Sequence, residues 1–301
     1  MSKFSPFYCC CSVFLLVACS AKVQPLAEEA TNLQKEQIKQ WQTARVQEVT
    51  SADGWLSLAG LFWLKEGITT FGSDAANQLV FPASAPKEMG QFILENGLVT
   101  MIIKEEVPVK LGEASPKNIP LVPDKAGHPT TLTLGPLSWY LIQRENRFGI
   151  RLKDSQNPAI KTFKGITHFP FSEAWQIPAI LKPATKEATI TLRNVIDMDV
   201  TMQLEGYLHF EIDDVGYRLE ALDGGPDAYF IIFADDTTGE TTYGAGRYLY
   251  VPKVDEVNKT MIDFNKAHNP PCAFTDFATC PLPSAANILA LGVLAGEQDY
   301  H

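Results

Sequence analysis

The sequence predicts a mainly β fold: an antiparallel sandwich or barrel-like sheet with a peripheral N-terminal helix. Three observations carry that expectation. From Gln78 to Tyr250, short apolar and β-branched runs alternate with turn residues at near-regular spacing. Three pairs of those runs flank short polar turns, the pattern of β-hairpins. Only one stretch, before Asp53-Gly54, has helical periodicity, and its apolar stripe is thin.

In chain order, the first element is a leader. Lys3 supplies a small positive region, Phe7 to Ala18 are mostly apolar, and Leu16-Val17-Ala18-Cys19 places small residues ahead of a cysteine. This resembles the lipobox of a bacterial lipoprotein, with residues 1–18 removed as a signal peptide and a lipid carried on Cys19. The apolar run is too short to span a bilayer comfortably, and its flanks suit a signal sequence; the alternative is an uncleaved apolar N-terminus. Residues 19–30 then read as a lipid-anchored tether reaching at most about 35–40 Å. By analogy with lipoprotein sorting, Ser20 after the cysteine favours the outer membrane, with the protein on the periplasmic face.

Residues 31–301 read as a single β-rich domain, a length such folds can reach as one unit. Thr31-Asn32-Leu33-Gln34 resembles a capping box at a helix start. Ile38, Trp41 and Val49 share a helical face that Arg45 interrupts, and Asp53-Gly54 ends the run. Trp55 to Leu64 is the densest apolar stretch after the leader. At ten residues, with Ser57 and Gly60 inside, it reads as core strand and turn and not as a membrane span. Asn96-Gly97, Glu145-Asn146-Arg147 and Asp213-Asp214 are the three expected hairpin turns, and Tyr229–Ala234 and Arg247–Val251 are further strands.

Composition narrows function by exclusion. Charged residues are 20% and hydrophobic residues 46%, an ordinary globular balance. A formal charge of −10 argues against nucleic acid, whose phosphates demand Lys and Arg, and against electrostatic docking on anionic lipid. Membrane attachment therefore rests on acyl chains at Cys19. Cys9, Cys10 and Cys11 fall in the leader, leaving Cys272 and Cys280. An even pair in an oxidising compartment suggests a disulfide; the alternative is two buried free thiols.

No Gly-x-Ser-x-Gly elbow, His-Glu-x-x-His helix or phosphate-binding Gly-x-x-x-x-Gly-Lys loop is present. Gly244-Ala245-Gly246 lacks the third glycine and the helix of a dinucleotide fingerprint. Asp235 to Glu240 has calcium-loop residue types at the wrong spacing and reads as a hairpin turn. Cys272 and Cys280 are too far apart in sequence for a zinc knuckle. No metal or other cofactor is expected.

The C-terminal third carries the densest polar pattern. It runs Asp235-x-Thr237-x-Gly239-x-x-Thr242-Tyr243-x-x-Gly246-Arg247, then Asp263-Phe264-Asn265 and Asn269-Pro270-Pro271-Cys272-Ala273-Phe274. Ala278-Thr279-Cys280-Pro281-Leu282-Pro283 and Ala295-Gly296-Glu297 complete it. With Gly54-Trp55-Leu56-Ser57-Leu58 and Gly60-Leu61-x-Trp63-Leu64, these residues resemble the bacterial domain-of-unknown-function family numbered 1684, from about Trp41 to the C-terminus. The resemblance implies relatives and no particular reaction.

Physically, Pro270-Pro271 holds Asn269 extended, so Asn265, His268 and Asn269 offer donors and acceptors from one constrained segment. Arg247 is a candidate bidentate clamp, with Glu297 beside it, and Asp235, Asp263 and Glu297 are candidate acids or bases. The leading expectation is a lipid-anchored module that binds a small polar ligand through Arg247, Asn265, His268, Asn269 and Glu297. Two alternatives stand beside it: a hydrolase using Asp235, Asp263 or Glu297 on an envelope or imported substrate, and a structural envelope lipoprotein. In the structural reading Arg247 pairs with Asp235 or Asp263 to hold two strands together.

Overall fold

The computed structural model describes residues 23–300, so the leader, Cys19 and the start of the tether lie outside the described residues. Helix α1 (Val23–Thr50) opens the chain. It begins earlier than the capping-box pattern predicts, and Thr31 stands inside it. Leu26-Ala27-Glu28-Glu29-Ala30 are mostly strong helix formers, and Pro25 lies in the first turn, where its missing N–H is tolerated. Residues 23–30 of the expected tether are therefore helical. Contacts divide the chain after Gln37, and every strand belongs to the unit Ile38–His301.

Within that unit, Ile38 and Val49 of α1 are buried, and so is Arg45 between them. The helix stops where Gly54 must pass close to its last turn. A side chain there would meet the Glu48 and Val49 carbonyl oxygens at 2.3 and 2.4 Å. A single 3₁₀ turn, Trp55–Ser57, leads into β1 (Leu58–Trp63), the strand and turn expected of this apolar stretch.

The next strands are β2 (Gly67–Gly72), β3 (Leu79–Val80), β4 (Gly90–Glu95), β5 (Leu98–Ile103) and β6 (Asn118–Leu121), forming one sheet in the order β3-β2-β4-β5-β6. After them come β7 (Thr131–Leu134), β8 (Leu137–Arg144) and β9 (Arg147–Asp154), which join β1 in the order β1-β9-β8-β7. Both sheets close on one core around Phe71, Phe92, Met101, Trp139 and Ile150. Asn96 and Gly97, at φ +52° and +76°, make the β4–β5 turn that their sequence demands.

After the short helix α2 (Pro158–Thr162), the chain builds β10 (Gln176–Pro183), β11 (Thr189–Arg193), β12 (Asp199–Ile212), β13 (Val215–Asp223), β14 (Ala228–Phe233), β15 (Arg247–Pro252) and β16 (Lys259–Asp263). Six of these run in the order β15-β14-β13-β12-β10-β16, and β11 pairs with the start of β12. Thr260 Oγ1 donates to the Pro252 carbonyl across the open edge, so this sheet is nearly closed and barrel-like. Leu208 and Phe210 alternate inward along β12, toward Leu219, Ile231, Phe233 and Leu249, whereas Leu204, beyond a bulge, packs with Leu222, Phe230 and Ile232. The fold is mainly β, with the helix at its periphery. Among the described residues no helix is long and apolar enough to cross a membrane.

Candidate anion-binding cavity

The cavity has three walls. Strand β9 points Phe148, Ile150 and Leu152 into the core, so strand alternation turns Arg151 to the opposite face. There Arg151 lies between Leu61 on β1 and Tyr140 on β8. Arg144, at the end of β8, joins it. Helix α1 contributes Trp41, Arg45 and Glu48. The third wall is Phe230 of β14, Tyr248 and Tyr250 of β15, His268-Asn269, and the loop from Pro271 to Pro281. The space they line, with Trp55, is about 370 Å³.

Its polar groups converge on Thr279. Arg144 Nε donates to Thr279 Oγ1 at 3.2 Å and Arg151 Nη2 at 3.4 Å. A hydroxyl has two acceptor lone pairs and one proton. With both lone pairs facing guanidinium donors, the Thr279 proton is left to donate. Thr279 is held in place by its neighbour, because Cys280 is bonded to Cys272 and closes the loop. Arg144 is neutralised by Asp124, whose Oδ2 lies 2.8 Å from Nη1. Arg151 is different. It is 5% exposed, its Nε has no hydrogen-bond partner, and among the described residues no carboxylate forms an ion pair with it.

Arg45 anchors the helix to the far wall. Its Nε donates to Glu297 Oε1 at 3.1 Å, Nη1 to Glu48 at 2.8 Å, and Nη2 to the Asn269 carbonyl at 2.9 Å. Glu297 is fully buried and its Oε2 accepts from the Asn269 backbone N–H at 2.8 Å. Burial pushes the Glu297 carboxyl up to about 6, against the opposing pull of Arg45. His268 lies among Trp41, Tyr248 and Tyr250, with ring centroids 6.1, 6.3 and 6.0 Å away. Its burial, reinforced by the nearby Arg45 charge, drops its pKa to about 3, so the imidazole is neutral.

Of the residues singled out from sequence, His268 and Asn269 line this cavity and Glu297 stands behind it. Arg247 and Asp235 do not line it. Their side chains are fully buried and paired, Nη2 to Oδ2 at 2.7 Å. Arg247 also donates to the Ala295 carbonyl at 2.5 Å and the Val293 carbonyl at 3.0 Å. Asp235 Oδ1 accepts from the Thr237 N–H and hydroxyl. This is an internal strap across β14, β15 and the C-terminal segment, in which Arg247 holds strands together and clamps no ligand. Asn265 donates to and accepts from Ser172 backbone groups, and Asp263 accepts from Asn265. Asp235, Asp263 and Glu297 therefore do not converge on one cleft. Among the described residues no cluster of three His, Cys, Asp or Glu side chains could hold a metal.

Arg144 and Arg151 escape sequence reasoning because alternating basic residues on a strand read as a solvent face. Arg45 left a signal: a charge in the middle of an apolar helical stripe.

Fold and site together define a mainly β protein whose cavity lies outside its barrel-like sheet. The family model described as Protein of unknown function (DUF1684) matches residues 161–298. The match takes in Thr279, His268 and both tyrosines, while Arg45, Arg144 and Arg151 precede it. A solution NMR structure of an uncharacterized protein of Haloarcula marismortui is 28% identical, covers 46% of this chain and 78% of its own, and has a TM-score of 0.39. No curated protein matches.

Proposed function

We propose that the protein is a binding module whose cavity receives the anionic group of a small ligand. One observation carries this reading: a buried Arg151 guanidinium without a carboxylate among the described residues, beside a Thr279 hydroxyl whose lone pairs both face guanidinium donors. A buried charge without a partner is costly, and an anion in the cavity would supply one. The reading replaces Arg247 as the clamp and retains His268 and Asn269 as lining residues.

Calorimetric titration of the full chain with acetate and with inorganic phosphate tests it. At least one of the two binds, and Arg151→Met weakens that binding by at least about tenfold, the value of one charge-assisted hydrogen bond. Equal affinity in the variant, or no binding of either anion, refutes the site.

The lipid anchor on Cys19 and the periplasmic face of the outer membrane are proposed from the leader alone. Metabolic labelling with a palmitate analogue, lost on Cys19→Ser, is the expected result; label retained on the variant removes the anchor.

A further inference from the structure

The charge balance and the aromatic walls of the same cavity narrow the ligand further. Arg45 faces Glu297 and Glu48, and Arg144 faces Asp124, so among the described residues Arg151 is the one cavity arginine without a carboxylate of its own. The three guanidinium groups and three carboxylates already balance, so Arg151 favours one ligand charge and a second would stand unmatched near Glu48. A guanidinium edge and a hydroxyl donor suit the flat two-oxygen face of a carboxylate.

The lining is also rich in aromatic rings: Trp41, Trp55, Tyr248 and Tyr250, with neutral His268 among Trp41 and the two tyrosines. These faces favour a flat ring, through apolar burial and offset or edge-on ring contacts. A volume near 370 Å³ lies at the small end of ligand pockets and accommodates a compact ring system.

The imidazole adds a third requirement. His268 Nδ1 lies 3.1 Å from the Lys266 carbonyl, which assigns the proton to that nitrogen. Nε2 is then an acceptor, and no donor among the described residues bonds to it. A hydroxyl or N–H on the ligand ring would do so.

We infer that the cavity binds a monoanionic aromatic carboxylate carrying a ring hydroxyl or N–H, with the carboxylate on Arg151 and Thr279 and the ring donor on His268. This rests on the proposed anion site and names its ligand class.

The test is a calorimetric series on the full chain: acetate, benzoate, the three hydroxybenzoates, phenyl phosphate and benzamide. Benzoate is expected to bind at least about tenfold more tightly than acetate, from ring burial, and benzamide not to bind. At least one hydroxybenzoate exceeds benzoate, and His268→Phe removes that margin. Trp41→Leu, a half-buried position, narrows the ratio of benzoate to acetate while thermal melting reports that the chain is folded. Acetate equal to benzoate, or phenyl phosphate about tenfold tighter than benzoate, overturns the ligand class and leaves the anion site standing. A hydroxybenzoate margin that survives His268→Phe overturns the donor assignment. Failure of every anion overturns both.

Discussion

Arg247 and Arg151 are both buried guanidinium groups on the β scaffold, and their surroundings are opposite. Around Arg247 an ion pair and two close carbonyl acceptors saturate most of the fork. Around Arg151 the described residues supply one long contact to a hydroxyl and no carboxylate, while the Nε of both arginines lacks a hydrogen-bond partner. Desolvating a charge costs several kcal/mol, and only well-placed partners offset it. Arg247 has them within the chain, so its arrangement serves the fold. Arg151 lacks them among the described residues and faces a cavity, which is the basis of the proposed anion site. Burial alone does not distinguish the two; the inventory of partners does.

That contrast predicts its strongest effect at the strap. Asp235→Ala leaves Arg247 buried and unpaired, and chemical denaturation should show a loss of about 3–5 kcal/mol. A loss below about 1 kcal/mol would break the contrast from the structural side.

Next is the loop that carries Thr279. Replacing Cys272 and Cys280 together by Ala should lower stability by about 2.5 kcal/mol through loop-closure entropy. The same change should weaken acetate binding, because Thr279 loses its tether. Unchanged affinity would show that the arginines alone hold the anion.

The pH response sharpens the comparison within the cavity wall. His268 has a depressed pKa, so its contribution is complete above about 6.5 and is lost as pH falls toward 3. Glu297 has a raised pKa, so its contribution is complete below the ordinary carboxylate range and is lost as pH rises through about 6. The two slopes oppose each other near pH 5. Glu297→Gln should therefore unmask a loss of about 2 kcal/mol on going from neutral to about pH 5, from the His268 shift. His268→Phe should reverse the slope. A flat profile in both variants would show that neither group is held away from its ordinary ionisation.

The smallest effect on stability is expected at Arg151 itself. Arg151→Met removes an uncompensated charge and should leave stability within about 1 kcal/mol of the parent, with a gain as the more informative sign. A loss of about 3 kcal/mol or more would make Arg151 a structural group like Arg247.

Much of the fold was legible because it is local. Asn96-Gly97 and Asp213-Asp214 accept positive φ, so their hairpins follow from neighbours in sequence. Glu145-Asn146-Arg147 likewise separated β8 from β9, with only its first two residues left between the strands. The helix start was missed because a capping-like tetrapeptide fits a helix interior equally well, and nothing local forbids extending the helix back to Val23.

The site was legible only in part. Pro270 constrains Asn269, and the cysteine pair flags its own loop, which places His268, Asn269 and Thr279 near one another. Nothing in Phe148-Gly149-Ile150-Arg151-Leu152 says which partner will cover the Arg151 face of that strand. The covering loop lies more than a hundred residues away, and contacts at that separation leave no trace in local periodicity.

By itself, then, the sequence determined the mainly β class, the hairpins, the apolar strand after α1 and the acidic charge balance. Propensity, alternation and turn chemistry act between near neighbours. The tertiary structure decided which buried charge has partners. Arg247 meets Asp235 and the carbonyls of the C-terminal segment, whereas the packing of β9 against the disulfide loop leaves Arg151 without a counter-ion among the described residues. Partner choice depends on distance in space, and that distance exists only once the strands, the helix and the loop have packed.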